Sequence, residues 1–281
     1  MNFKIIYLLC ISQIFSIGLD ALNIPINSNT LSTQTSTDIG VNSLSELFNE
    51  NSFLEYNTRN WLPGITGHSI YWKTSSSLVK SVGFETMHDD EIFYHGSVPN
   101  DEENIKLPAS WYSISLLFGK EIKNYNIGIK IQSFSNLLYT EKYNGLIANF
   151  YINKFIYHNI QIDFSLRNSI ILLGNINNQS LPVQMNLSLQ NNHIKIPISY
   201  GVAMKYTKLE NSLNSFINYN LGFINFTGSI KYITDRELQY ASGINLIYNQ
   251  WQISYSLTSQ LTSTLGTPQI FSIQYNFKSN N

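Results

Sequence analysis

Residues 194–206 read Ile194-Lys-Ile-Pro-Ile-Ser-Tyr-Gly-Val-Ala-Met-Lys-Tyr206, and this stretch decides the fold. Ile194, Ile196, Ile198, Tyr200, Val202, Met204 and Tyr206 fall on one side of an extended chain. Lys195, Pro197, Ser199, Gly201, Ala203 and Lys205 fall on the other. A period of two is the pattern of a strand with one apolar face, because successive side chains point to opposite sides. The same period recurs in 160–167, where Ile160, Ile162, Phe164 and Leu166 alternate with Gln161, Asp163, Ser165 and Arg167. It recurs again where Phe271, Ile273, Tyr275 and Phe277 alternate with Ser272, Gln274 and Asn276. Similar alternation runs through 112–118, 126–132, 183–190, 225–232 and 251–257.

Past residue 53 no segment has a long helical period, so the chain reads as all-β. Fourteen strands are predicted, near 54–60, 67–74, 78–87, 109–119, 125–135, 141–153, 157–167, 182–190, 193–206, 213–222, 224–234, 238–248, 250–259 and 268–277. Several reach the roughly 9–11 residues that a tilted membrane strand needs. Every second connection is tight (75–77, 120–124, 154–156, 191–192, 223 and 249). The intervening ones include the longer 88–108, 168–181 and 260–267. Long and short loops sorted to opposite ends mark an up-and-down transmembrane β-barrel of about 14 antiparallel strands. Trp61, Trp72, Trp111, Tyr125, Tyr139, Tyr157, Tyr206 and Trp251 stand near strand ends, where interfacial girdles form. The alternative is a secreted β-sandwich adhesin with its apolar face inward.

Composition agrees with a barrel. Only 12% of the 281 residues are charged, while Asn alone occurs 35 times. Uncharged polar side chains suit a confined lumen. Lys+Arg 17 against Asp+Glu 18 gives no basic surplus for phosphate contacts, so nucleic acid is excluded as a partner. No stretch after residue 20 is apolar for the ~18 residues of a spanning helix.

Residues 1–18 have one cation, Lys4, then an apolar run from Ile5 to Ile17, and read as a secretory signal peptide cleaved after Gly18 or Ala21. Cys10, the one cysteine, lies within it, so the mature chain has no disulfide framework and no thiolate chemistry. Residues 19–52 do not alternate. Ser43-Leu-Ser-Glu46 has capping-box spacing for a short helix, and this segment is either a lumen plug or a periplasmic tail. The barrel itself is expected over 53–281.

Seven of the 18 acids (Glu85, Asp89, Asp90, Glu91, Asp101, Glu102 and Glu103) fall within 81–105, with no Lys or Arg among them. Strand parity puts this acidic loop outside the cell. Asp89, Asp90 and Glu91, flanked by His88 and His95, are weak candidates for a metal site, against the plainer reading of a solvated loop. Lys130, Asp163, Arg167, Lys195, Lys205 and Lys231 face the predicted lumen, where they pair with one another or with a plug. No catalytic motif is present: His158 with Ser165 has no orienting partner, and no cofactor is implied. A non-catalytic protein is expected.

Short motifs carry a family likeness. Ala21-Leu-Asn-Ile-Pro25, Asn60-Trp-Leu-Pro63, Asn126-Ile-Gly-Ile-Lys130, Leu173-Gly-Asn175 followed by Leu181-Pro182, and the closing Phe271-Ser-Ile-Gln-Tyr-Asn-Phe277 resemble the PorV/PorQ family of FadL-like outer-membrane barrels. Ser36-Thr-Asp-Ile-Gly40 stands where that family has a Gly-rich stretch. The resemblance implies an outer-membrane location in a Gram-negative-type bacterium, with outer-membrane lipid around the barrel. It implies partners among exported proteins or other components of type IX secretion, bound or shuttled toward surface attachment. The rival reading is a FadL-like transporter of hydrophobic compounds, which predicts a strand kink, with Pro197 as candidate, and an apolar internal pocket.

Overall fold

The computed structural model describes residues 24–35, 38–62, 64–76, 78–89, 93–94, 105–106, 109–138, 141–157, 159–174, 182–192, 196–208, 210–234, 238–260 and 267–277. The expected leader, and with it Cys10, lies outside these residues. The strands are β1 (Phe53–Leu62), β2 (Ile65–Lys73), β3 (Val79–Asp89), a two-residue ladder of β4 (Phe93–Tyr94) with β5 (Ile105–Lys106), β6 (Ala109–Ile122), β7 (Tyr125–Leu138) and β8 (Glu141–Tyr157). They continue as β9 (Ile160–Gly174), β10 (Gln184–Asn192), β11 (Ile198–Tyr206), β12 (Asn211–Asn220), β13 (Ile224–Ile233), β14 (Leu238–Tyr248), β15 (Trp251–Gln260) and β16 (Gln269–Asn276). All but β4 and β5 form a closed antiparallel barrel in chain order, and β16 pairs with β1 to seal it. Over the height the strands share, closure leaves no sheet edge, so there the fourteen strands satisfy one another's backbone groups without water.

The alternation becomes two surfaces. Leu54, Tyr56, Ile70, Trp72, Phe84, Ile114, Ile129, Val202, Ile217, Ile244 and Ile253 all stand exposed on the outside. A belt of this extent is a surface that lipid covers and water does not. Trp72, Tyr125, Tyr157, Tyr206 and Trp251 are exposed on it. Trp111 is not: at 1% exposure it faces inward and stacks on Phe134, ring centroids 4.7 Å apart. Trp61 is half-buried, and Tyr139 lies outside the described residues.

The connections at the rim that holds the start of β1 and the end of β16 are short. Lys123 and Asn249 adopt positive φ (57° and 55°) in two of these turns. The far rim carries the long 90–108 connection. Pro197 sits before β11, not within it, because a residue with no N–H cannot join the ladder. Its carbonyl instead accepts a 2.7 Å bond from the Asn220 N–H. Smaller register shifts occur at Asn60/Leu62, Val79/Ser81 and Phe155/Tyr157, and the widest lies in β9. Between the pairs Phe150↔Leu166 and Ala148↔Ile170, three residues (Arg167, Asn168 and Ser169) stand opposite Asn149 alone. Asn168 takes φ 55° there, and its N–H donates to Asn149 Oδ1 at 2.7 Å. Such a bulge re-aims a side chain, in this case Asn168, which is 2% exposed where the alternation alone would turn it outward.

The wall is uneven. β6–β9 run 14–17 residues, whereas β10–β16 run 8–11. Among the described residues β9 has no partner on its β10 side beyond Arg167, although it stays paired with β8 to Gly174.

Candidate functional site: a plug inside the barrel

The lumen is filled by the N-terminal segment. Its first element is α1 (Ser28–Thr33), capped by Asn27, whose side chain accepts from the Thr30 N–H while the Thr30 hydroxyl accepts from the Asn27 N–H. Asn27-Ser-Asn-Thr30 thus forms a reciprocal cap. Ser43-Leu-Ser-Glu46 forms a 3₁₀ turn over Leu44–Phe48, in which Ser43 Oγ accepts from the Ser45 N–H. Ile39, Val41, Leu44 and Leu47 of this segment form an apolar cluster with Phe53, Tyr71, Leu117 and Tyr151 from the wall. Gly40 adopts φ 76°, and a β-carbon there would lie 2.6 Å from the Tyr71 ring, so only glycine lets the segment lie against β2.

Buried charge fixes the plug on the tall side. Asp38 meets Lys130 at 3.2 Å and the bulged Arg167 at 3.4 Å, accepts from Asn149 Nδ2 at 2.7 Å, and accepts from the Tyr151 hydroxyl. Lys130 also donates to the Asp38 carbonyl at 2.5 Å. Burial alone would raise the Asp38 carboxyl. Arg167 and Lys130, helped by Tyr151, outweigh it and hold the group at about 2. Farther toward the terminal rim, Asp163 accepts from Ser43 Oγ at 2.8 Å, from the Leu44 N–H at 3.2 Å and from Asn153 Nδ2 at 2.9 Å. Burial, with the Asp163 carboxylate beside it, pushes Glu46 up to about 7 against the pull of Lys73. Lys73 itself donates to the carbonyls of Asn49 (2.8 Å) and Asn51 (2.5 Å), where the plug leads into β1. Toward the far rim Arg59, 0% exposed, crosses Gly67 to reach Glu85 at 3.2 Å.

On the short side the contacts change character. Ser229 Oγ donates to the Ser32 carbonyl (2.7 Å), Asn214 Nδ2 to the Thr33 carbonyl (2.6 Å), and the Ser28 N–H to Ser272 Oγ (3.0 Å). α1 rests on β12–β16 and the 3₁₀ turn on β3, β7 and β8, so β10 and β11 carry little of the plug. Along these strands lie two cavities. A vestibule of about 360 Å³ opens at the terminal rim between Asn29, Asn42, Ser199, Asn218, Asn225 and Asn245. A smaller cavity of about 30 Å³ sits at mid-lumen between Gln34, Asp163, Asn186, Ser188, Lys205 and Asn214.

The residues singled out from sequence distribute as follows. Lys130, Asp163 and Arg167 converge on the plug. Lys205 lines the small cavity and pairs with Glu210 at 3.4 Å. Lys231 stands on the inward row between Asn214 and Gln239. Lys195 lies outside the described residues. Glu85 and Asp89 belong to β3 and not to the acidic loop; Glu85 is an inward ion-pair partner, because the alternation of β3 continues through both. Asp90, Glu91, Asp101, Glu102, Glu103 and His95 lie outside the described residues, and among the described ones no three His, Cys, Asp or Glu cluster as a metal site would. Ser165 is turned inward and accepts from Asn186 Nδ2 at 3.0 Å, while His158 lies outside the described residues. Sequence reading passed over Asp38, although it is the one charged residue between Ala21 and Ser45.

No protein-family profile matches this sequence, and no curated protein does. Its structure is similar to that of the toluene transporter TbuX of Ralstonia pickettii, with a TM-score of 0.62, 10% identity, and coverage of 92% of this chain and all of that one. A fainter likeness reaches mutants of the Rh. blastica porin (TM-score 0.40, 7% identity, 81% of this chain and 99% of the other). At such identities the likeness is one of fold alone: a fourteen-stranded barrel.

Proposed function

We propose that the protein is an outer-membrane barrel that passes small solutes and is gated by its N-terminal plug. The observation that carries this reading is the plug itself: a segment held inside the lumen by side-chain contacts that leaves β10 and β11 almost bare. The fold shared with a toluene transporter supports transport as the class of activity. The bulge at Arg167–Ser169 supports it too, since it supplies the strand irregularity that the transporter reading requires and ties it to Asp38 of the plug. The cargo of that reading, a hydrophobic compound, meets Ile39, Leu44 and Tyr151 beside Asp163 and Lys205 in the small cavity, and mainly Asn, Ser and Gln in the vestibule.

A second reading follows the PorV/PorQ resemblance: the barrel binds or shuttles exported proteins at its rim, and the lumen stays shut. The buried ion pairs that lock the plug favour it. Reconstitution into liposomes separates the two. Uptake of small solutes that rises in Asp38→Asn supports passage. Vesicles that stay tight with both proteins, together with exported proteins co-purifying from the host, support the rim.

A further inference from the structure

Three features stand out beyond the plug contacts: an outward Tyr56–His68–His88 ladder on β1–β3, a vestibule of about 860 Å³ beneath the 3₁₀ turn, and the bare strip along β10–β12. The strip carries an inference. Its two cavities are separated by a single row of side chains. On β10 the small cavity is lined by Ser188 and the vestibule by Asn192, with Gln190 between them. On β11 the corresponding trio is Ala203, Ser199 and Gly201. On β12 it is Asn214, Asn218 and Phe216. Gln190, Gly201 and Phe216 are register partners, so they form one layer across the wall. Phe216 is the one aromatic on the inward face of β12, where Ser212, Asn214 and Asn218 surround it in sequence, and it is 4% exposed. Its ring reaches over Gly201: a β-carbon there would lie 2.5 Å from the ring's Cζ. Next to the ring, Ser229 fastens α1, and on the other side Gln190 accepts from Gln161 (3.2 Å) and donates to Asn192 (2.7 Å). The layer is closed.

The vestibule is lined mainly by uncharged polar side chains, and the small cavity mixes such groups with Ile39, Leu44 and Tyr151. Asn186 and Asn214 in the small cavity, and Asn218, Asn225 and Asn245 in the vestibule, each have a buried side-chain oxygen that receives no hydrogen bond from the described residues, as does Asp163 Oδ2. The amide nitrogens of Asn186, Asn214 and Asn218 are already committed, to Ser165, Thr33 and Ser199. The strip therefore holds a succession of buried acceptors that lack a donor among the described residues. Buried acceptors of this kind call for donors, and with Lys205 also lining the small cavity the fitting solute is uncharged and rich in hydroxyls.

We propose that the β10–β12 strip is a permeation path for small polyhydroxylated solutes, and that Phe216, seated on Gly201, is its gate. This rests on the transport reading above. The test is swelling of liposomes containing the full-length protein, with heat-modifiable electrophoretic mobility confirming that each variant is folded. Phe216→Ala is expected to raise the swelling rate in arabinose about tenfold, since the narrowest diameter governs passage. Gly201→Leu added to Phe216→Ala is expected to refill the space and restore the low rate. A folded Phe216→Ala as tight as the parent, while Asp38→Asn swells freely, would overturn the gate and leave plug displacement as the route. Faster entry of potassium ion than of arabinose through Phe216→Ala would overturn the solute assignment. Vesicles tight to every solute with all variants would overturn the transport reading and the gate together.

Discussion

β6–β9 and β10–β16 belong to one continuous sheet, yet they hold the same plug by different physics. The tall strands offer Lys130, Arg167 and Tyr151 to a single buried carboxylate, and an apolar cluster beneath it. The short strands offer Ser, Asn and Gly to the carbonyls and small side chains of α1. A buried ion pair is costly to break from one side, because the partner is left charged and dry. A hydrogen bond to a carbonyl contributes far less and exchanges readily with water. The difference teaches where the plug can move: it is anchored along β7–β9 and can lift from β12–β16, toward the strip it leaves bare.

The largest effect is expected at the anchor. Asp38→Asn leaves Lys130 and Arg167 without their carboxylate and should lower stability by about 3–5 kcal/mol, the usual cost of removing one partner of a buried pair. The measurement is the temperature at which the folded band is lost on electrophoresis. Crowding α1 comes next. Gly243→Val would put a β-carbon 2.6 Å from Ser32 Cβ, and overpacking of this kind costs about 1–3 kcal/mol. If protease then cuts near α1 but not near Asp38, the two sides are mechanically separate. Asn214→Ala and Ser229→Ala each remove one bond to α1, with expected losses of about 0.5–1.5 kcal/mol. Losses as large as that of Asp38→Asn would erase the contrast.

Acidity separates two parts of the plug with opposite signs. Asp38, depressed from 3.8 to about 2, contributes stability that is full above pH 3.8 and is lost as pH falls toward 2. Glu46, raised from 4.5 to about 7, binds its proton more tightly in the fold, so the turn it sits in loosens as pH rises from 4.5 through 7. Glu46→Gln should therefore tighten the turn at pH 8 and change nothing at pH 4. Protease sensitivity of the Asn49–Asn51 junction, read at both values, checks the smallest of these effects.

Most of the wall was legible in the sequence, because an inward-outward alternation is imposed by lipid on one side and a wet lumen on the other. The fourteen segments and the sorting of their turns follow from that one constraint. Strand extents were less so: β8 runs to Tyr157 and β9 to Gly174 because they pair with each other beyond the rest of the wall, a tertiary fact. Pro197 marked a break, which the structure places at the entry of β11; the kink in β9 came from Asn168, a residue whose positive φ leaves little local signal. Trp111 read as girdle because aromatic side chains look alike from sequence whichever face they take. The plug was hardest, since Asp38 and the wall groups that donate to it (Lys130, Asn149 and Tyr151) lie 92 to 113 residues apart in the chain. Phe216 was not singled out either, although it is one aromatic in a row of inward Ser and Asn.

The central claim is that the segment from Ile24 to Asn49 lies inside the barrel with α1 against β14. A double variant, Ser32→Cys with Gly243→Cys in a chain whose Cys10 is Ser, tests it directly. The two β-carbons lie closer than the roughly 3.5–4.5 Å a disulfide takes, so a slight recoil of α1 suffices. Oxidised outer membranes should yield a cross-linked monomer whose mobility changes on reduction. Two free thiols that react at once with an impermeant reagent would place the segment outside the lumen and contradict the account.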